Sequence, residues 1–238
     1  PRRHPSSGGA TPGATDLPRP GVSVRRMHND ESSMKGGHAI VALGRYAVDQ
    51  GIVEATEPET KVIIQCPCGP VTAHVEVTNG KAGRVRFESV PAFGFAREQT
   101  IVTANYGPVD IDIGYGGAFY AVVAADQFGL DVRTSKTRDL VDAATRVSNA
   151  VKQQVKLHHP DADDLAYLYG TILTDGQDMY SLVPTANICV FADAQVDRSP
   201  TGSGVTARIA LQHRRGLIEL GQSRTFDERT TAHVIYDH

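Results

Sequence analysis

Two stretches of this chain put a glycine-rich turn directly in front of a helix that is apolar on nearly every side: Gly36-Gly-His-Ala-Ile-Val-Ala-Leu43 and Gly202-Ser-Gly-Val-Thr-Ala-Arg-Ile-Ala-Leu211. A helix without a polar face has to be enclosed, so each demands a sheet wrapped around it. The first is predicted over 38–50, with Tyr46, Ala47 and Val48 extending the apolar run and Gly51 placed as its C-terminal cap. The second is predicted over 204–215, its apolar residues starting at Val205 and its last turn carrying Arg214 and Arg215, where the helix dipole favours cations.

Strands surround both. Residues 61–66 and 73–77 read as strands, and Asn79-Gly80 as a hairpin turn into 84–88. Val75 and Val77 alternate with His74 and Glu76, which puts the valines on one face. Residues 109–113 alternate apolar with acidic side chains, and 118–124 form a continuous apolar run that reads as a buried strand. Between 139 and 157, Leu140, Ala144, Val147, Val151 and Val155 mark an amphipathic helix lying on a sheet, closed by Pro160. Segments 165–173 and 188–192 complete the apolar set. The pattern implies an α+β protein built from a duplicated unit, with the two glycine-rich helix starts facing each other.

Composition narrows the function. The 24 Lys plus Arg against 27 Asp plus Glu give a net charge of -3 in 238 residues, which argues against a nucleic-acid or other polyanion binder. Cys66, Cys68 and Cys189 are too few and too irregular for a disulfide scaffold, so a reducing cytoplasmic setting is the expectation. No apolar run approaches the roughly 20 residues that cross a bilayer, and residues 1–26 lack the apolar core of a signal peptide. A soluble protein without membrane contact follows. Five of the 13 prolines and five arginines against one acid fall within 1–26, so that segment is expected to be poorly ordered.

The helix starts supply the chemistry. Bare glycines at a helix N-terminus leave backbone N–H groups unpaired beside a partial positive charge, a binding site for an anion that needs no basic side chain. Two such ends aimed at one cleft would grip one carboxylate, and Asp197 would hold an amine, so an amino acid fits. A phosphate is the competing anion, although the spacing matches neither a Walker loop nor the dinucleotide fingerprint.

The string DRSPTGSG at 197–204 resembles the second active-site motif of the proline racemase family, DRSPCGTG in its racemases and epimerases. The threonine version is similar to that of the family's trans-3-hydroxy-L-proline dehydratases. MHND at 27–30, GHAIVALGRYAVDQG at 37–51, DIGYGGAFYA at 112–121 and HPDADDLAYLYGTIL at 159–173 also look like family segments, so the resemblance spans about 27–226. It implies a proline racemase-like fold of two pseudo-symmetric lobes, each a sheet wrapped around a central helix. The lobes are expected at 27–106 and 107–238, with the C-terminal tail free to return to the first. It also implies a homodimer acting on a small proline-like amino acid, without metal or organic cofactor.

By the same resemblance, Gly37, His38, Gly202 and Ser203 bind the substrate carboxylate through backbone N–H groups, Asp197 binds the ring amine, and Thr201 lies near the leaving hydroxyl. Racemisation or epimerisation needs a base on each face of the α-carbon, whereas dehydration needs one thiolate to take the α-proton before the 3-hydroxyl leaves. Thr201 therefore disfavours racemase and epimerase. The family's first motif, M-C-G-H, aligns with Lys35-Gly36-Gly37-His38, so Gly36 stands where the base cysteine belongs. Losing a general base costs roughly 10² to 10⁴ in rate. The chain is expected to bind substrate-like carboxylates and to give Δ1-pyrroline-2-carboxylate and water poorly or not at all; a catalytically dead binder of such carboxylates is the alternative.

Other residues carry plainer expectations. Cys66-Pro-Cys68 lacks zinc-site spacing and reads as structural, and Cys189 as an inert core thiol. His158 and His159 read as a helix cap or loop rather than metal ligands. Asp110 and Asp112 read as solvated strand-face acids, and Phe191 either walls the ligand pocket or packs in the core.

Overall fold

A computed structural model of the chain describes residues 21–23, 26–28, 31–33, 37–226 and 230–233. They fall into two compact units, Pro1–Val90 and Pro91–His238. The division precedes the strand at 93–103 rather than falling between 106 and 107, because that strand forms a long antiparallel ladder with the next one.

The first unit runs β1 (Gly21–Ser23), β2 (Arg26–His28), β3 (Glu31–Ser33), α1 (Gly37–Asp49), β4 (Glu59–Cys66), β5 (Gly69–Thr78) and β6 (Lys81–Glu88). Its sheet has the order β1-β4-β5-β6, with β1 parallel to β4 and the rest antiparallel; β2 and β3 pair separately. Gly21–Ser23 is thus a paired strand inside the segment expected to be poorly ordered, most of which lies outside the described residues. Asn79 and Gly80 both adopt positive φ, 52° and 70°, the mirror-image turn that matches the twist of a hairpin. Val62, Ile64, Val71, Ala73, Val75 and Val77 form the buried face on which α1 rests.

One expectation changes here. α1 is not enclosed: Ile40, Ala47 and Val48 are buried, but Val41 is 38% and Tyr46 48% exposed. Among the described residues the sheet covers one side of the helix only. His74, the polar member of an alternating strand, is 3% exposed, because Glu59 and Glu88 approach its two ring nitrogens at 2.7 Å each.

The second unit runs β7 (Phe93–Thr103), β8 (Gly107–Tyr115), β9 (Phe119–Ala124), α2 (Thr137–Gln154), β10 (Leu168–Thr174), β11 (Asn187–Phe191), β12 (Gln195–Val196), α3 (Gly202–Arg214), β13 (Ser223–Phe226) and β14 (Thr230–His233). The six-stranded sheet has the order β12-β11-β10-β9-β8-β7. Its alternation assigns the two faces. Thr171 of β10 bonds Ser148 of α2, while its neighbour Ile172 packs against Gly204 of α3. With a helix on each face, β9 is apolar throughout instead of alternating, the continuous run read in the sequence. α2 buries Leu140, Ala143, Ala144, Val147, Ala150 and Val151 in a single stripe and ends six residues before Pro160. No described helix is long and apolar enough to cross a membrane. The described part of the C-terminal tail, β14, pairs with β13 inside this unit.

α3 is the enclosed helix, with Ser203, Gly204, Val205, Ala207, Arg208, Ile209, Leu211 and Gln212 all buried. Arg208, 1% exposed, satisfies all five N–H groups of its guanidinium on Asp178 Oδ1, Thr185 Oγ1, Asn187 Oδ1 and the Ala186 carbonyl, as a buried cation must. Asp175 lies 3.5 Å away and accepts from Thr185 Oγ1, Ala186 N–H and Gln177 N–H. Arg224 holds the carbonyls of Gln177, Ser181 and Val183, so the connection between β10 and β11 is anchored along its length.

Burial alone would push the Asp175 carboxyl up, but these hydrogen bonds and the Arg208 charge outweigh it and hold it below the usual carboxylate range. A depressed carboxyl contributes stability that is present above its ordinary pKa and lost as pH falls through the native value. Asp175→Asn is expected to lower stability at pH 7 by about 1–3 kcal/mol. The gap from the parent should narrow in urea melts as pH drops below about 4.

Candidate active site

The loop before α3 is built around one carboxylate. Asp197 donates its N–H to the Cys189 carbonyl at 3.0 Å, tying the loop to β11. Its Oδ1 accepts from Ser199 N–H at 2.9 Å and Ser199 Oγ at 3.0 Å, and Ser199 Oγ accepts from Thr201 N–H. Asp197 Oδ2 accepts the Thr201 hydroxyl at 3.0 Å. Thr201 then starts the helix by accepting from Val205 N–H at 2.7 Å.

This arrangement has a direct electrostatic result. Thr201 occupies the position whose hydroxyl ordinarily caps a helix, yet its Oγ1 is turned to Asp197 and no side chain caps α3. The first N–H groups of the helix, those of Gly202, Ser203 and Gly204, are left without an intrahelical partner at the positive end of the dipole. Thr201 has φ 65°, a left-handed backbone that costs a β-branched residue of order 1–3 kcal/mol and is held by its hydrogen bonds with Ser199, Asp197 and Val205.

The first turn of α3 is pinned by close approach. A Cβ at Gly204 would lie 2.5 Å from Ile172 Cδ1, and one at Gly116 would lie 2.2 Å from the Ser203 carbonyl oxygen and 2.5 Å from Ala207 N. The glycines of DIGYGG thus let the turn after β8 lie directly on the helix. Beneath, Tyr120 of β9 hydrogen-bonds Ser203 Oγ at 2.7 Å.

Asp197, Thr201, Gly202 and Ser203 therefore come together, as their spacing predicts. Gly37 opens α1 in the first unit, with His38 as its second residue. Gly36, like Lys35, lies outside the described residues, as does the His38 side chain. α3 begins at Gly202, two residues before its predicted start, so the glycines belong to the helix itself. Ser199, which organises the loop, and Tyr120 were not singled out in the sequence. A tyrosine inside a fully apolar strand was the available signal, since a buried phenol needs a partner.

Other candidates resolve differently. Cys189 is a buried thiol, as expected, but it stands beside Thr201. Burial pushes it up to about 12 despite the hydrogen bond with Thr201, so it is no base near neutrality. Asp112 is not solvated: it pairs with Arg215 at 2.7 Å and accepts the Glu98 N–H at 2.9 Å, and burial raises its carboxyl. His158 and His159 lie in the loop after α2, one of the two placements expected of them. They pack edge-on against Phe95 and Tyr115, with ring centroids 5.0 and 4.6 Å apart. Phe191 stacks on Tyr169 at 5.4 Å and borders a cavity of about 40 Å³ beneath α2, room for little more than water.

α3 is an enclosed helix in an α+β protein, led by a glycine turn that no side chain caps, an arrangement able to hold an anion on backbone N–H groups. The chain belongs to the proline racemase family, whose sequence profile matches residues 1–230, including the proline-rich start. It is 60% identical over 232 residues to the trans-L-3-hydroxyproline dehydratase of Xenopus tropicalis, covering 97% of this chain and 67% of that one. It is 57% identical over 226 residues to the enzyme of the same name from Saccoglossus kowalevskii, covering 95% and 69%. A solved hydroxyproline epimerase from Agrobacterium vitis, with bound trans-4-OH-L-proline, has 25% identity and a TM-score of 0.82, covering 91% of this chain and 62% of that one. The chain thus spans about two thirds of the length of the relatives it matches.

Gly116→Ala drives a Cβ into helix backbone that cannot yield as a side chain would. It is expected to lower stability by about 1–3 kcal/mol, read as a reduced thermal midpoint, whereas Gly83→Ala, whose Cβ would meet only ordinary contacts at an exposed position of β6, should cost less than this.

Proposed function

We propose that this protein is a trans-3-hydroxy-L-proline dehydratase, a hydro-lyase forming Δ1-pyrroline-2-carboxylate and water. The observation that carries the reading is the hydroxyl of Thr201, held by Asp197 at the start of an uncapped helix, where racemases and epimerases have a second cysteine. Identity of 57–60% to relatives bearing the dehydratase name supports it.

The roles follow from charge. The substrate carboxylate takes the N–H groups of Gly202 and Ser203, an anion at the positive end of a dipole. In the first unit, Gly37 and His38 at the start of α1 are assigned the same task. Asp197 accepts from the ring ammonium with lone pairs its loop contacts leave open, and Thr201 hands a proton to the departing 3-hydroxyl. With a thiolate at position 36 to take the α-proton, departure of that hydroxyl creates a C=C bond that tautomerises to the C=N product, and one water is released. Neither metal nor organic cofactor enters this scheme. We further assign the protein to the cytoplasm, from its few and irregular cysteines, and to a homodimer, by likeness to the family.

Gly36 favours a second reading, that the chain binds but does not turn over, because glycine has no group to take the α-proton. Gly36→Cys separates the two. On trans-3-hydroxy-L-proline it is expected to raise the dehydration rate by at least roughly 10²-fold, followed as loss of substrate. No activity in that variant, with binding of pyrrole-2-carboxylate intact, would leave only the inert binder.

A further inference from the structure

We infer that Tyr120 is a positioning residue for the carboxylate-binding end of α3, acting through Ser203. This rests on the reading of that helix start as the substrate carboxylate site. Tyr120 is 0% exposed and Ser203 2%, and their hydroxyls meet at 2.7 Å. Ser203 is the second residue of α3, and its N–H is one of those presented to the anion. A hydroxyl pair sealed from water holds its geometry strictly, because either oxygen left alone has no solvent to turn to.

The phenol is itself rigid. Its ring meets Tyr169 edge-on at 5.6 Å, and Tyr169 stacks on Phe191 at 5.4 Å, so three strands of the sheet brace it. Burial raises its pKa well above the usual phenol value, with the nearby Cys189 and Asp197 adding to the shift. The hydroxyl therefore keeps its proton throughout the working pH range. Gly116 presses the same turn of α3 from the loop after β8, so Ser203 is fixed from two sides. Tyr120 thereby sets the direction of the first N–H groups without touching the ligand.

The test is calorimetric titration with pyrrole-2-carboxylate. Tyr120→Phe, which removes one oxygen, is expected to weaken binding roughly tenfold, the worth of one buried hydrogen bond. Ser203→Ala breaks the same bond and should weaken binding similarly, and the double variant should be no weaker than Ser203→Ala alone. Thr171→Val is the structural control, since it removes the buried hydroxyl contact with Ser148 on the α2 face. It should lower the melting temperature without changing affinity.

Unchanged affinity in Tyr120→Phe or Ser203→Ala, additive losses in the double variant, or equal weakening by Thr171→Val would each overturn the inference. Should Tyr120→Phe fail to fold, Ser203→Ala carries the same decision. Failure of the parent chain to bind the probe would overturn the carboxylate reading and this inference with it, whereas binding that ignores both substitutions overturns the inference alone.

Discussion

Everything at the candidate site depends on where one hydroxyl points. A threonine at the start of a helix ordinarily accepts from one of the helix's first N–H groups and so competes with any anion bound there. Asp197 takes that hydroxyl instead, at 3.0 Å, and in doing so leaves the positive end of α3 open. The strained backbone of Thr201, at φ 65°, belongs to the same bargain between local comfort and function. Strain of this kind persists only where the surroundings over-determine it, and here Ser199, Asp197 and Val205 do so.

The rest of the second unit keeps that end in place. α3 is buried along its length, so its orientation is fixed by packing against β7, β8 and β9 rather than by its own propensity. Arg208 contributes a different kind of constraint. A cation inside the core is tolerable only with every donor paired, so it ties the helix to Asp178, Thr185, Ala186 and Asn187 in one geometry. Gly116 completes the fit by letting backbone approach backbone, and Gly204 by letting the Ile172 side chain approach the helix, each more closely than a Cβ would allow.

Much of this was legible in the sequence where a residue type had one physical use. The glycine turn into α3, the Asn79-Gly80 hairpin, the α2 stripe and the DRSPTGSG loop are each local patterns, and each forms near its predicted place. What failed was what depends on partners far along the chain. The apolar residues of α1 do not reveal how many sides of it are covered, and Val41 and Tyr46 are exposed. Alternation marked Asp112 as solvated, but Arg215, 103 residues away, claims it. Tyr120 was hidden inside an apolar run because its meaning lies in Ser203, 83 residues later. The base position, Gly36, is readable only from the sequence, since it falls outside the described residues.

The central claim is that the unpaired N–H groups at the start of α3 receive a carboxylate. Backbone amide chemical shifts, followed residue by residue during addition of pyrrole-2-carboxylate, test it most directly. The account predicts the largest saturable shifts at Gly202, Ser203 and Gly204, with the amides in the middle of α2 unmoved. Saturable binding that leaves those three amides unchanged would contradict it.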